Sequence, residues 1–152
     1  MRQKRLQAEQ LNYTMKVFSS AGKMNLIQGG WIKTIRTSLG MTMRQLGNKL
    51  AITRQSVMDI EKREEEGTIT LNALRQVAKA MDMKLVYGFV PIDGSIEALI
   101  ERKAKLMATQ IVLRTSQSMK LEDQENNRTR IEQSIKDRTT KLINEMPKIL
   151  WD

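Results

Sequence analysis

Cysteine and histidine are both absent from this chain of 152 residues. Disulfides are therefore excluded, and so are the usual zinc and haem ligand sets, each of which needs one of those side chains. Catalysis would fall to carboxylates, lysines and hydroxyls, among which no nucleophile and base pair can be named, so no enzyme and no cofactor are expected. Long apolar runs are missing too. The longest uncharged one, Leu85 to Pro91, is far too short to span a bilayer, and Met1 is followed by Arg2, Lys4 and Arg5 without the apolar stretch of a leader. The expectation is a soluble cytoplasmic protein with no membrane partner. Prolines number only 2, at positions 91 and 147, so few helices are interrupted, and there is no internal repeat or low-complexity tract.

What is present is enough apolar material, 40%, for a packed core of roughly one domain with extensions. Lys and Arg number 26 against 17 Asp and Glu, a net charge of +9. Residues 1–63 carry 12 basic and 3 acidic side chains, whereas residues 64–152 carry 14 of each. The whole surplus thus lies in the first 63 residues. A one-sided basic balance favours a polyanion, either nucleic acid or an anionic membrane surface. The modest apolar face of the N-terminal segment argues against the membrane.

Leu6, Leu11, Met15 and Phe18 recur at roughly helical spacing, which predicts an N-terminal helix ending near Ser19, followed by a loop punctuated by Gly22, Gly29 and Gly30. Four short helices are predicted between Trp31 and Met81. Thr42, Thr53 and Thr70 stand just before three of them as N-caps, Gly40 closes the first, and Gly67 lies after the third. Leu85, Val86, Tyr87, Phe89 and Val90 form the one β-rich run, ended by Pro91, Asp93 and Gly94. Ser95 is expected to cap a helix reaching Met119. A polar stretch, Glu122 to Asn127, separates it from a last helix that Pro147 ends near Met146. Glu64, Glu65 and Glu66 read as a solvated loop rather than a metal site.

The informative segment is Met41 to Glu61, MTMRQLGNKLAITRQSVMDIE. A helix-turn-helix needs a small residue where its helices cross, apolar residues on both sides of the turn, and polar residues on the outer face of the second helix. Gly47 is the small residue. Leu46, Leu50, Ile52, Val57 and Ile60 supply the apolar contacts, leaving Thr53, Arg54, Gln55, Ser56 and Asp59 exposed. Arginine and glutamine can bond bidentately to guanine and adenine edges in the major groove. Lys62 and Arg63, just beyond, suit phosphate. The alternatives are a plain helical hairpin and merely solvated polar side chains.

Over Trp31 to Met81 the order Leu46-Gly47, Leu50, Ile52, Thr53, Gln55-Ser56-Val57, Ile60-Glu61 and Thr70-Leu71 resembles the lambda-repressor-like, or XRE, helix-turn-helix family. The resemblance implies that Arg54, Gln55 and Asp59 face bases. Thr42, Met43 and Ser56 would then approach phosphates, and Arg44 and Thr53 join them by position. The family has glycine at the tight turn where this chain has Ala51, so a left-handed backbone there would cost about 1–2 kcal/mol unless the turn is reshaped. Over almost the whole chain, the stretches GWIKTIRTSLGMT, EEEGTITLNALRQVAKAMDMKLVYGFVP, MKLEDQ and LWD resemble the family called mobile mystery protein A. That resemblance implies a transcriptional regulator encoded beside a Fic-domain protein in a toxin and antitoxin-like pair. Known Fic inhibitors carry Ser/Thr-x-x-x-Glu followed by Gly or Asn. The candidate here, Ser118 to Glu122, is followed by Asp123, which argues against direct active-site inhibition.

The expected fold is mainly α: a lambda-repressor-like helix-turn-helix bundle with one β-strand and C-terminal helices. Its parts would be an N-terminal helix and linker (1–30), the DNA-binding domain (31–83), a dimerisation strand and turn (84–94) and a helical extension (95–152). A lone strand satisfies its backbone by pairing with its own copy, so a homodimer through Leu85, Val86, Tyr87 and Phe89 is expected on a palindromic operator in double-stranded DNA. The expected function is an autoregulating repressor of a mobile-element operon. The alternative is an interaction protein whose C-terminal helices hold a partner toxin.

Overall fold

Three threonines at predicted helix starts turn their hydroxyls onto free backbone N–H groups. Thr42 Oγ1 accepts from Gln45 N at 3.1 Å and opens α3 (Met43–Leu50). Thr53 Oγ1 accepts from Ser56 N at 3.1 Å and opens α4 (Arg54–Glu65). Thr70 Oγ1 accepts from Ala73 N at 3.1 Å and opens α5 (Leu71–Ala80). Each hydroxyl satisfies a donor that the first helical turn leaves unpaired, which is worth about 1 kcal/mol per cap. These helices follow α1 (Arg2–Lys16) and α2 (Trp31–Ser38), and precede α6 (Ile96–Ser116) and α7 (Gln124–Glu145). Two short 3-10 turns, Ala21–Lys23 and Lys148–Trp151, complete the regular structure. The computed structural model describes residues 2–25, 27–116 and 124–152, over which the chain is mainly α-helical. The chain divides into two compact units, Lys23–Tyr87 and the combination of Met1–Gly22 with Gly88–Asp152.

In the Lys23–Tyr87 unit, Ile32, Leu46, Val57 and Val77 are each at most 2% exposed and come from four different helices, with Met81 beside them. Full burial of an aliphatic side chain stabilises by about 1.5–3 kcal/mol, so these residues bind α2 to α5 around one centre. Ile35, Leu50, Ile52, Ile60 and Leu74 pack around them. Gly40 follows α2 with φ 65° and Gly67 follows α4 with φ 73°, as predicted.

In the second unit, Ala104 and Ala108, one turn apart on α6, are fully buried. Their small side chains let α7 approach, and Leu142 of α7 and Leu150 of the last 3-10 turn fill the space beside Ile100. The start of α6 draws on two side chains: Ser95 Oγ accepts from Ala98 N at 3.0 Å, and Asn12 Oδ1 of α1 accepts from Ile96 N at 3.3 Å. The N-terminal helix therefore packs against α6 within this unit.

Several expectations need correction. Among the described residues there is no β-strand: residues 83–90 carry no regular secondary structure, and no backbone hydrogen bond involves residues 84–90. Strand geometry is fixed by a ladder partner, and the single chain offers none. The polar separator expected over Glu122 to Asn127 does not hold from Gln124 onward, where α7 already begins. The expected helix end at Met119, and the candidate motif from Ser118 to Glu122 with Asp123, lie outside the described residues. Glu64 and Glu65 are the last turn of α4 rather than loop. Helix α7 does stop before Pro147, with Met146 at φ 43°.

Candidate nucleic-acid interface

Helix α4 is fixed against α3 by a close crossing. A Cβ added to Gly47 would lie 2.7 Å from the carbonyl oxygen of Ile52, so only glycine admits this approach. The connecting turn keeps Ala51 left-handed at φ 55° and ψ 40°, with Ile52 N donating to Gly47 O at 2.9 Å. The turn is not reshaped for alanine; the alanine takes the strained backbone.

Two further anchors of α4 escaped the sequence. Arg36 and Glu61 are 7% and 5% exposed, and they form a buried ion pair from α2 to α4. Arg36 Nε donates to Glu61 Oε1 and Nη2 to Oε2, while Nη1 donates to Met41 O at 3.0 Å, so the fork is filled. Glu64 spans the start of α2, its carboxylate accepting from Trp31 N at 2.8 Å and Ile32 N at 2.9 Å. It replaces the side-chain cap that Gly30 lacks, and a Cβ on Gly30 would lie 2.8 Å from that carboxylate. The missed signal was charge on an apolar face. Arg36 stands four residues after Ile32, and Glu61 four after Val57, so each shares its helix's buried stripe.

With one side of α4 held this way, its first turn faces outward. Arg54, Gln55 and Asp59 are exposed, and Gln55 Nε2 donates to Asp59 Oδ1 at 3.3 Å. Thr53 and Ser56 pair their hydroxyls with each other at 2.9 Å. At α3, Thr42 and Gln45 form a reciprocal capping box. The hydroxyls of Thr42, Thr53 and Ser56 are thus already engaged in caps. Among the described residues no partner occupies the backbone N–H groups of Met43, Arg44, Arg54 and Gln55. The Met43 side chain packs against the core, which leaves only its N–H for an anion. Arg44, Lys62 and Arg63 are exposed; Lys62 has an ion pair with Glu66 at 3.7 Å, both partners more than half exposed. Two helix N-termini with free donors, bordered by cations, suit phosphate oxygens.

Of the predicted dimer residues, Leu85 is half-buried, whereas Val86, Tyr87 and Phe89 are 69%, 57% and 79% exposed. Arg75 lies 5.8 Å from the Tyr87 ring centre, a cation–π contact to α5. Leu85 and Val86 border an apolar groove of about 270 Å³ with Trp31, Ile35, Leu74 and Met83.

Among the described residues no group of three or more carboxylates could hold a metal ion, and no helix is long and apolar enough to cross a membrane. No family model, curated protein or solved structure matches this chain.

Proposed function

We propose that residues 31–83 form an XRE-type helix-turn-helix that places α4 in the major groove of double-stranded DNA. The observation that carries this is the outward face of the first two turns of α4. Arg54, Gln55 and Asp59 are exposed there, while the opposite face of the same helix buries Val57 and Glu61. Base readers need such a rigid support, and the four unpaired N–H groups of α3 and α4 supply neighbouring phosphate positions. Residues 23–87 hold 11 basic and 6 acidic side chains, so the same unit is attracted to a polyanion. The protein would act as an autoregulating repressor of a mobile-element operon with a Fic-type partner gene. It would bind a palindromic operator as a homodimer through residues 84–91.

Arg54→Ala and Lys62→Ala separate reading from anchoring. Loss of an arginine bidentate to guanine costs about 1–3 kcal/mol against the preferred base, so Arg54→Ala relaxes one base pair per half-site. Lys62→Ala weakens all sequences alike and lowers the salt slope by about one unit for each phosphate left without its lysine. Titrations of a selected duplex and its point variants at several salt concentrations measure both. Failure of the purified protein to enrich any sequence from random duplexes would overturn the proposal.

A second reading rests on the groove of about 500 Å³ between α6, α7 and the last 3-10 turn. Leu106 and Ile149 border it and are 55% and 57% exposed, an apolar surface that a partner protein could cover. It predicts a complex with the adjacent gene product that persists when Arg54→Ala has relaxed operator preference.

A further inference from the structure

The Asp59 carboxylate is already engaged within α4. Gln55 Nε2 donates to Asp59 Oδ1 at 3.3 Å across one turn of α4, and both residues are exposed. The geometry points to a division of labour in which Gln55 reads adenine and Asp59 fixes the orientation that restricts it to adenine. This rests on the reading of α4 as a base-contacting helix.

Donor and acceptor accounting carries the step. A glutamine amide has two N–H donors and one carbonyl acceptor. Asp59 takes one of the donors, so Gln55 presents outward one N–H and the lone pairs of Oε1. Adenine shows the complementary pair in the major groove, an N7 acceptor beside an N6 donor. Guanine shows two acceptors, N7 and O6. Facing guanine, the held amide would set Oε1 against O6, and turning it over to offer both hydrogens breaks the bond to Asp59. Without Asp59 the amide rotates freely and can serve either purine. Asp59 is thus a positioning residue, and its remaining carboxylate oxygen stays available to a cytosine N4 donor.

The test uses the full chain on a duplex selected from random sequence, with each of the four base pairs placed in turn at every position. At the position that Gln55→Ala renders indifferent, the native protein is expected to favour adenine over guanine by about 5- to 150-fold, the range of a bidentate contact. Asp59→Ala should reduce that ratio severalfold. Asp59→Asn removes the same charge but keeps an acceptor for Gln55 Nε2, and should retain the ratio. An unchanged ratio in Asp59→Ala, or equal losses in both variants, would overturn the inference while leaving operator binding intact. Absence of any sequence preference in the native protein would overturn the underlying reading, and this inference with it.

Discussion

Ala51 holds φ 55° and ψ 40° at the end of α3, a conformation that costs a residue with a Cβ about 1–2 kcal/mol. Glycine removes that strain and gives back about 0.5–1 kcal/mol through a more flexible unfolded chain. Ala51→Gly is therefore expected to stabilise by about 0.5–1 kcal/mol, read as a higher urea midpoint at unchanged slope. The Arg36–Glu61 pair behaves differently, because removing one partner leaves the other charge buried. Glu61→Leu alone is expected to cost about 3–5 kcal/mol, whereas the double change Arg36→Met with Glu61→Leu costs less than either single one. Chemical denaturation of the three variants checks this; additive losses would show that the two groups do not depend on each other. The left-handed position at Ala51 was suggested only by the family resemblance, with a reshaped turn left open. The ion pair was not legible in the sequence, because hydrophobic periodicity does not register a charged residue on a buried stripe.

Helix α6 begins with several side-chain bonds. Besides Ser95 and Asn12, Arg102 donates from Nε to Asp93 Oδ1 at 2.8 Å and from Nη2 to Oδ2 at 3.0 Å. The Arg102 guanidinium holds the Asp93 carboxyl below its ordinary range, chiefly through these hydrogen bonds. A carboxyl lowered in the folded state contributes stability that is present above its unfolded value of about 3.9 and lost as pH falls through the folded value. Arg102→Gln is expected to raise the Asp93 titration midpoint toward about 3.9, followed by carboxyl NMR. Any stability difference between the two proteins should vanish in acid. Ser95 could be recognised as a cap from its neighbours alone. Asn12, 84 residues away from its partner, could not.

Taken as a whole, the chain leaves the Lys23–Tyr87 unit and returns to helices that pack with its own N-terminus. Between the last bond of Met83 and the turn at Pro91, residues 84–90 have no backbone hydrogen bond among the described residues. Exposed Val86, Tyr87 and Phe89 border this row of free groups, the condition under which a second copy adds a strand. Pairing about a two-fold axis would satisfy both copies and set two α4 helices about 34–36 Å apart, one turn of DNA. Tyr87→Pro removes an N–H from the centre of that row and is expected to give a monomer by light scattering. A dimer that survives it would move the interface to the exposed face of the C-terminal helices.

Features that depend on near neighbours were readable from the order of residues alone. Caps at Thr42, Thr53, Thr70 and Ser95, the stops at Gly40, Gly67 and Pro147, and the small residue at Gly47 all act within about one helical turn, where residue type is decisive. The exposure of Arg54, Gln55 and Asp59 followed from the same periodicity. Which distant groups meet was settled by the packing of the helices: Arg36 with Glu61, Glu64 with the start of α2, and Asn12 with α6. The Gln55–Asp59 bond lies within one turn of α4 but needs one rotamer of each side chain, and the run at Leu85 stays without backbone bonds within one chain among the described residues. Such pairings join groups remote in sequence, or select one rotamer among several, and their energies depend on burial that no local pattern records.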